Sequence, residues 1–477
     1  MAIPTLGNVA HRPFDLIVVG GGIHGSLTHL LATLAGLESV LLERGDFGGG
    51  ASWNTSRILH GGIRYLQTGN VRRVRSSLAA RRWFFRVFPE FTSVLPCLLP
   101  VYDRGVRRRS ALSVATLLHN VLAYDGNRGV PASHHFPPGR MVGVDETVSA
   151  LSLVRREGLR GSATWSDGLL ANPPRVLMEV LNWSEAEGGT ALNYVEVEGI
   201  STREGRVTGV EARDTVTGAE AGITAPRVVL CTGAGRPEGG LKGASPEGGR
   251  ALDFAFNLVL DRSPPAGHHA VAVDPARGRG HLFFLVPLGE MTLAGTRHLE
   301  VSGPPPSRPP RKEAEEMLQG LNSALPGWDV DSDTIHLTLG GMIPEKPLAD
   351  EILDHASTSL PPGAVHVRSA KYTTAPVTAH RVMERILGKA PPKVEPDSRP
   401  PSRRVVTARE FLREYPRNPL AVREWVETIC REERVLTPED FILRRTDWAL
   451  DARSLPEVRE VLGQMEDLMG ASKWEDS

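Results

Sequence analysis

The run Gly20-Gly21-Gly22-Ile23-His24-Gly25 lies between the apolar stretch Phe14-Asp15-Leu16-Ile17-Val18-Val19 and a helical pattern, and Glu43 closes the next apolar stretch, Val40-Leu41-Leu42. Few folds accept that order. The glycines allow a tight turn whose backbone N–H groups approach a pyrophosphate at the positive end of the following helix, and the acid stands where a ribose hydroxyl would lie. Strand, turn, helix, strand and acid in register predict a dinucleotide-binding α/β unit. Gly20, Gly22, Gly25, Glu43 and the adjacent Arg44 are its candidate cofactor contacts.

A chain of 477 residues, 40% hydrophobic and 23% charged, is too long for one simple core and ordinary in composition. Two or three domains are expected. Cys97, Cys231 and Cys430 stand far apart, with no CxxC pair and no histidine cluster at ligand spacing, so neither a disulfide framework nor a metal site is expected. The formal net charge of −1 gives no general attraction to nucleic acid, and no nucleic-acid partner is expected. The N-terminus lacks a signal-peptide pattern, and no run reaches the ~20 apolar residues of a spanning helix. Cytoplasmic residence is the expectation.

Along the chain, Asp46 to Ser56 is rich in Gly and Ser, and Asn70 to Phe88 reads as an amphipathic helix with Arg72, Arg73, Arg75, Arg81, Arg82 and Arg86 among Val71, Val74, Leu78, Phe85 and Phe88. A solvated basic face is the plain reading. Trp83, Phe84 and Phe85 beside the arginines leave open a helix that lies on a membrane surface. Pro174 to Glu187 predicts a helix leading into a strand over Ala191 to Val197, followed by a hairpin near Gly199 to Ala212. Arg227 to Cys231 reads as a strand buried on both faces, ending in Thr232-Gly233-Ala234-Gly235. Ligands lie over the carboxyl ends of strands in open α/β sheets, so this second glycine turn can meet the first at one cofactor. Asn257 to Leu260, His281 to Val286 and Met291 to Ala294 alternate as antiparallel strands. The Pro/Arg-rich segments Gly303 to Arg311 and Pro391 to Arg404 predict a surface loop and an interdomain linker, and Val405 to Leu468 reads as helical, with Pro438 at a first helical position.

The stretch Gly50-Ala51-Ser52-Trp53-Asn54-Thr55-Ser56-Arg57-Ile58-Leu59-His60-Gly61-Gly62-Ile63-Arg64-Tyr65-Leu66 resembles the signature of the FAD-dependent glycerol-3-phosphate dehydrogenase family. Gly295-Thr296, Lys371-Tyr372-Thr373-Thr374 and Leu443-Arg444-Arg445-Thr446 resemble further family segments. The resemblance implies a fold of α/β plus α+β type: a discontinuous Rossmann-like FAD-binding domain (1–90, 150–245 and 335–390), an antiparallel-sheet substrate domain (91–149 and 246–334) and a small helical C-terminal domain (400–477). It implies FAD as cofactor, with contacts from Ser52, Thr55, Ser56, Gly61, Gly62, Thr232, Gly233, Gly341, Tyr372 and Thr373. The implied reaction passes a hydride from a secondary alcohol carbon to flavin N5, converting sn-glycerol 3-phosphate to dihydroxyacetone phosphate with a quinone or another acceptor. His60 would take the hydroxyl proton or orient the hydroxyl, Arg64 and Tyr65 would meet the substrate, and Lys371 would stand between flavin and substrate. A helix opened by Thr373-Thr374 would direct its N–H groups at the flavin. Family members often work at a membrane surface, which makes the inner face of the membrane an alternative site of action.

Two departures bear on the substrate. In Gly340-Gly341-Met342-Ile343-Pro344, Ile343 stands where the family has its phosphate-binding arginine, and Phe254-Ala255 replaces a Lys-Gly pair. A dianion loses two partners. Arg297 and His298, after Gly295-Thr296, are candidate replacements at the substrate, or strand-end residues with no such role. Oxidation of a less charged alcohol or an amine in a biosynthetic pathway is therefore a second reading. A catalytically silent flavin-binding protein and an NAD-only dehydrogenase are the others.

Overall fold

The computed structural model describes residues 4–102, 108–234, 242, 252–275, 282–301, 306, 308–344, 350–369, 371–451 and 454–463. Gly235, His281, part of the Gly303 to Arg311 loop and the end of the expected C-terminal domain lie outside them. The chain divides into two compact units: residues 1–53, 172–252 and 342–477, and residues 54–171 and 253–341.

In the first unit the described strands form a sheet in the order Glu351–Asp354, Ala364–Arg368, Val228–Leu230, Leu16–Val19, Ser39–Leu42, Thr190–Leu192. The inner pairs are parallel, and the Glu351–Asp354 edge is antiparallel. The central strands are apolar on both faces because both are covered, one by helices and the other by the smaller antiparallel sheet described below; Leu16, Val40, Leu41, Val228 and Val229 are fully buried. The helix Ile23–Leu34 packs against Pro173–Ala186 and Ala375–Leu387. A smaller antiparallel sheet holds Val195–Arg203, Arg206–Asp214 and Glu220–Thr224.

The expected single strand over Ala191 to Val197 is two strands. Thr190–Leu192 belongs to the parallel sheet, Tyr194 turns with φ of 57°, and Val195 begins the smaller sheet. The segment Pro391 to Arg404 is also no free linker at its end. Arg403 donates its backbone N–H to Glu179 and pairs with Glu432 and Glu433.

The helical segment after residue 405 clusters with the first unit through buried charge. Arg445 donates to Asp46 Oδ1 and Oδ2 at 2.6 and 2.8 Å, and Arg444 reaches Asp46 at 2.5 Å and also Asp440. Arg175 clamps Glu433 with two bonds of 2.8 Å. Burial would raise the carboxyls of Asp46 and Glu433, but the arginines outweigh it and hold both below their ordinary values.

The second unit is built on a nine-stranded sheet among the described residues, in the order Ile335–Pro344, Leu252–Leu260, Met291–Val301, Phe283–Leu288, Ala270–Val273, Thr92–Pro100, Ser162–Leu170, Ile58–Leu59, with Arg140–Val142 also on Ser162–Leu170. This moves boundaries expected from sequence. Residues 54–90 and 150–171 fall in this unit, because Ser162–Leu170 pairs along its length with Thr92–Pro100 and at its end with Ile58–Leu59.

The basic helix spans Val71–Val87, capped by Asn70. Its apolar side is spent inside the unit: Val74, Leu78, Phe84 and Phe85 are at most 2% exposed. Three of its arginines are engaged in ion pairs, Arg75 and Arg82 with Asp125 and Arg81 with a buried carboxylate, while Arg72 and Arg86 are exposed. The outward apolar face belongs instead to the helix Arg109–Leu122, where Leu117 and Val121 are 64% and 62% exposed.

Candidate active site

In the first unit the two glycine turns meet as expected. Gly20 has φ of 107°, its N–H donates to Leu42 O, and a Cβ there would lie 2.5 Å from the Cys231 carbonyl oxygen, immediately before Thr232-Gly233. A Cβ on Gly25 would come within 1.9 Å of Gly20 O. No other residue fits either position. The carboxylate of Glu43 accepts the Gly21 N–H at 2.6 Å and the Gly45 N–H at 3.0 Å, while burial pushes its carboxyl up against those bonds. Arg44 is exposed beside it.

Ser52 Oγ accepts the Ile23 N–H at 3.0 Å and so caps the first turn of the helix Ile23–Leu34, whose N-cap, Gly22, has no side chain to do so. His24 Nε2 is a buried atom with no hydrogen bond among the described residues, and burial, opposed by Asp350, lowers that histidine to about 4. Bare glycine backbone, a helix N-terminus and an unpartnered polar atom together suit a dinucleotide pyrophosphate.

Lys371, Tyr372, Thr373 and Thr374 precede the helix Ala375–Leu387 in this unit; Ile343, 8% exposed, lies near the end of the strand Ile335–Pro344, within which the division between the units falls. Tyr372 Oη donates to Pro173 O at 2.7 Å. That bond ties the segment to the start of the Pro173–Ala186 helix.

The second unit holds the other candidates. Ile58–Leu59 ends at His60, and Gly61 and Gly62 turn the chain, with φ of 85° at Gly62, into the short helix Ile63–Thr68. His60 Nδ1 lies 3.1 Å from Oδ2 of Asp167, a carboxylate whose side chain is only 2% exposed. Asp167 also accepts the Gly61 N–H at 2.6 Å and the Trp165 indole N–H at 3.1 Å, and Arg81 Nη1 stands 3.6 Å away. Burial would raise Asp167, but the His60 hydrogen bond and charge, with Arg81 and the Gly61 N–H, hold it down to about 2. Gly61 is required for this packing: a Cβ there would meet Arg81 Nη1 at 2.9 Å, His119 Nε2 at 3.0 Å and Asp167 Oδ1 at 3.2 Å. The Phe284 ring meets His60 edge-on, with centroids 5.4 Å apart.

Sequence reasoning missed Asp167, Arg81 and Trp165 as parts of this site. The available signal was a carboxylate among strand residues that alternate Trp165, Asp167 on one face, 107 residues from its partner.

Arg64 is exposed on the short helix, without a carboxylate partner among the described residues. The Arg73 guanidinium lies 4.6 Å from the centre of the Tyr65 ring. Thr55 Oγ1 accepts the Arg57 N–H at 3.0 Å, and Ser56 is half-buried next to it. Gly341 lies on the Ile335–Pro344 strand, where the Asn54 amide reaches Gly340 O at 2.5 Å. Asn257 supports Gly295-Thr296: its Oδ1 accepts the Thr296 hydroxyl at 2.8 Å. Arg297, a candidate replacement for the missing cation, pairs with both Glu313 and Glu316 of the helix Arg311–Ala324. His298 Nδ1 lies 3.6 Å from buried Asp253.

A parallel sheet with two glycine turns at its strand ends, and a second sheet carrying a carboxylate-supported histidine, define a dinucleotide-dependent oxidoreductase. The model of the FAD dependent oxidoreductase family matches residues 15–385, and the chain belongs to that family. FAD is its cofactor. Among relatives, a glycerol-3-phosphate dehydrogenase of Synechocystis is 25% identical over 72% of this chain and 62% of its own length. An alpha-glycerophosphate oxidase of Streptococcus pneumoniae is 28% identical over 71% of this chain and 56% of its own length, so the chain spans less than two thirds of either relative. The solved glycerol-3-phosphate dehydrogenase of Bacillus halodurans, complexed with FAD, superposes with a TM-score of 0.72 at 20% identity, covering 99% of this chain and 93% of that one. At that identity the likeness establishes the fold.

Proposed function

We propose that this protein oxidises a secondary alcohol, with sn-glycerol 3-phosphate as the leading substrate and dihydroxyacetone phosphate as product. The observation that carries the reading is His60 on its glycine turn, backed by the buried Asp167 carboxylate. A histidine so supported accepts the hydroxyl proton near neutral pH, and general-base assistance of this kind contributes roughly 10²–10⁴-fold. Bound FAD supplies the hydride acceptor. Gly20, Gly22, Gly25, Ser52 and the Ile23–Leu34 N-terminus are the residues that would hold its pyrophosphate, and Glu43 its ribose. Exposed Arg64 is the cation we assign to the anionic end of the substrate, because Arg297 is already neutralised by two glutamates.

Buried Ile343 and Phe254, at positions where the family carries cations, favour a second reading in which the substrate is a less charged alcohol or an amine. Anaerobic titration of the FAD-loaded protein separates the two. Bleaching of the flavin band by sn-glycerol 3-phosphate and not by glycerol supports the phosphate; no bleaching by either moves the substrate to the second class.

Electrons would leave to a quinone or another acceptor, and the exposed face of Val114, Leu117, Leu118, Val121 and Tyr124 supports a peripheral membrane contact that brings a quinone within reach. Among the described residues no helix is long and apolar enough to cross a membrane.

A further inference from the structure

We infer that Asp167 is the positioning residue that fixes His60 in one tautomer, with its proton on Nδ1 and Nε2 left as the proton acceptor. The inference rests on the proposed role of His60 as base. It is carried by the donors around the carboxylate. Oδ2 faces His60 Nδ1 and the Trp165 indole, each at 3.1 Å, while Oδ1 faces the Gly61 N–H at 2.6 Å and Arg81 Nη1 at 3.6 Å. Indole, backbone amide and guanidinium only donate, so both carboxylate oxygens are accepting. A carboxylate that accepts on both sides has no proton to give, so the hydrogen between Asp167 and His60 belongs to Nδ1. Nε2 lies across the ring from that bond, on a side chain that is 42% exposed.

The support reaches down through three elements. Arg81, 2% exposed, comes from the Val71–Val87 helix, donates to Ser166 O at 2.7 Å and lies 3.7 Å from the centre of the Phe136 ring, so it cannot swing away from the carboxylate. Two other titratable groups face this cluster: His119 from the Arg109–Leu122 helix, its ring 3.4 Å from Gly61 O, which burial keeps toward the neutral form, and Cys97 on the Thr92–Pro100 strand, whose thiol burial pushes up and so keeps neutral. The charges facing Asp167 are thus Arg81 and, when protonated, His60 and His119.

An asparagine of the same shape cannot substitute. Its amide presents one accepting oxygen and one donating NH₂ group, while donors stand on both sides of the site. Turned toward His60, the NH₂ donates to Nδ1 and drives the imidazole proton to Nε2, where it blocks proton acceptance. Asp167→Asn is therefore expected to slow anaerobic flavin reduction by roughly 10²–10⁴-fold, the span of general-base catalysis. FAD content and the half-saturating substrate concentration should stay nearly unchanged, since Asp167 touches neither ligand in this assignment.

The test uses the FAD-loaded protein, with sn-glycerol 3-phosphate as reductant and ¹⁵N NMR of the histidine rings, the His60 signal being assigned by its loss in His60→Asn. The expected results are an Nδ1–H tautomer in the wild type, a shift to Nε2–H in Asp167→Asn with slow reduction and an altered pH profile, and partial recovery in Asp167→Glu. An Nε2–H tautomer in the wild type overturns the inference, whether or not the variant folds. So does an Asp167→Asn protein that reduces at the wild-type rate with an unchanged pH profile. A wild-type rate in His60→Asn refutes instead the assignment of His60 as base, a separate outcome that leaves the tautomer to decide the role of Asp167.

Discussion

Replacing Asp46 by alanine tests how the C-terminal helical segment holds the cofactor loop. Asp46 is 6% exposed and accepts from Arg445 at 2.6 and 2.8 Å, from Arg444 at 2.5 Å and from Asn193 at 3.0 Å. Removing it leaves Arg445 with Glu433, through the backbone carbonyl at 2.7 Å and the carboxylate at 3.7 Å, and Arg444 with Asp440. Breaking one end of a buried ion pair costs about 3–5 kcal/mol. At about 2 °C per kcal/mol for a unit of this size, the melting temperature should fall by about 6–10 °C. Three residues before Asp46 lies Glu43, and two residues after it Gly48 donates to Gly21 O at 3.0 Å, so the loosened loop should also release FAD more readily. Thermal denaturation followed by circular dichroism and by flavin fluorescence reads both effects. Asp46→Ala combined with Arg445→Met should recover part of the loss, because an apolar pair avoids leaving a buried charge alone. A single variant that melts within 1 °C of the wild type and keeps its flavin would refute the reasoning.

Ser52→Ala removes the acceptor for the Ile23 N–H and should cost about 1 kcal/mol of helix capping; equilibrium dialysis would show weaker FAD retention, and unchanged binding would place Ser52 outside the cradle. The Asp167 carboxyl sits at about 2 in the folded protein, below its unfolded value near 4. Its contribution, about 2–3 kcal/mol, is therefore present above pH ~4 and lost as pH falls through about 2. Acid unfolding followed by near-ultraviolet circular dichroism should be less steep in this window for Asp167→Asn, and an unaltered acid limb would contradict the linkage. For the exposed helix, Leu117→Glu with Val121→Glu should abolish co-sedimentation with phosphatidylglycerol vesicles while leaving anaerobic reduction intact; a wild-type protein that does not sediment with vesicles ends the membrane reading.

What could be read from the chain was what is local in it. Gly20 to Glu43 spans one turn, helix and strand, and its local structure follows from neighbouring residues, which is why the glycine turn stands where the spacing placed it. His60-Gly61-Gly62 was equally legible as a turn. Its supporting carboxylate was not, because Asp167 reaches it only when Ser162–Leu170 pairs with Ile58–Leu59. The same distance effect hid the fate of Arg297, whose partners Glu313 and Glu316 lie on a helix one turn apart beyond a proline-rich stretch. The basic helix left two readings open for a different reason. Composition shows that arginines and aromatics alternate but not which face turns inward, and here the aromatics and Arg81 went inside while the less basic helix Arg109–Leu122 kept the exposed apolar face. Residues 54–90 were placed with the cofactor domain because the signature runs on continuously from the glycine turn; strand pairing draws them into the second unit.

The measurement that bears most directly on secondary-alcohol oxidation is stopped-flow flavin reduction by sn-glycerol 3-phosphate carrying deuterium at its secondary carbon, compared with the unlabelled compound. Hydride transfer from that carbon predicts reduction slowed several-fold by the label. Equal rates, or no reduction with either compound, would contradict it.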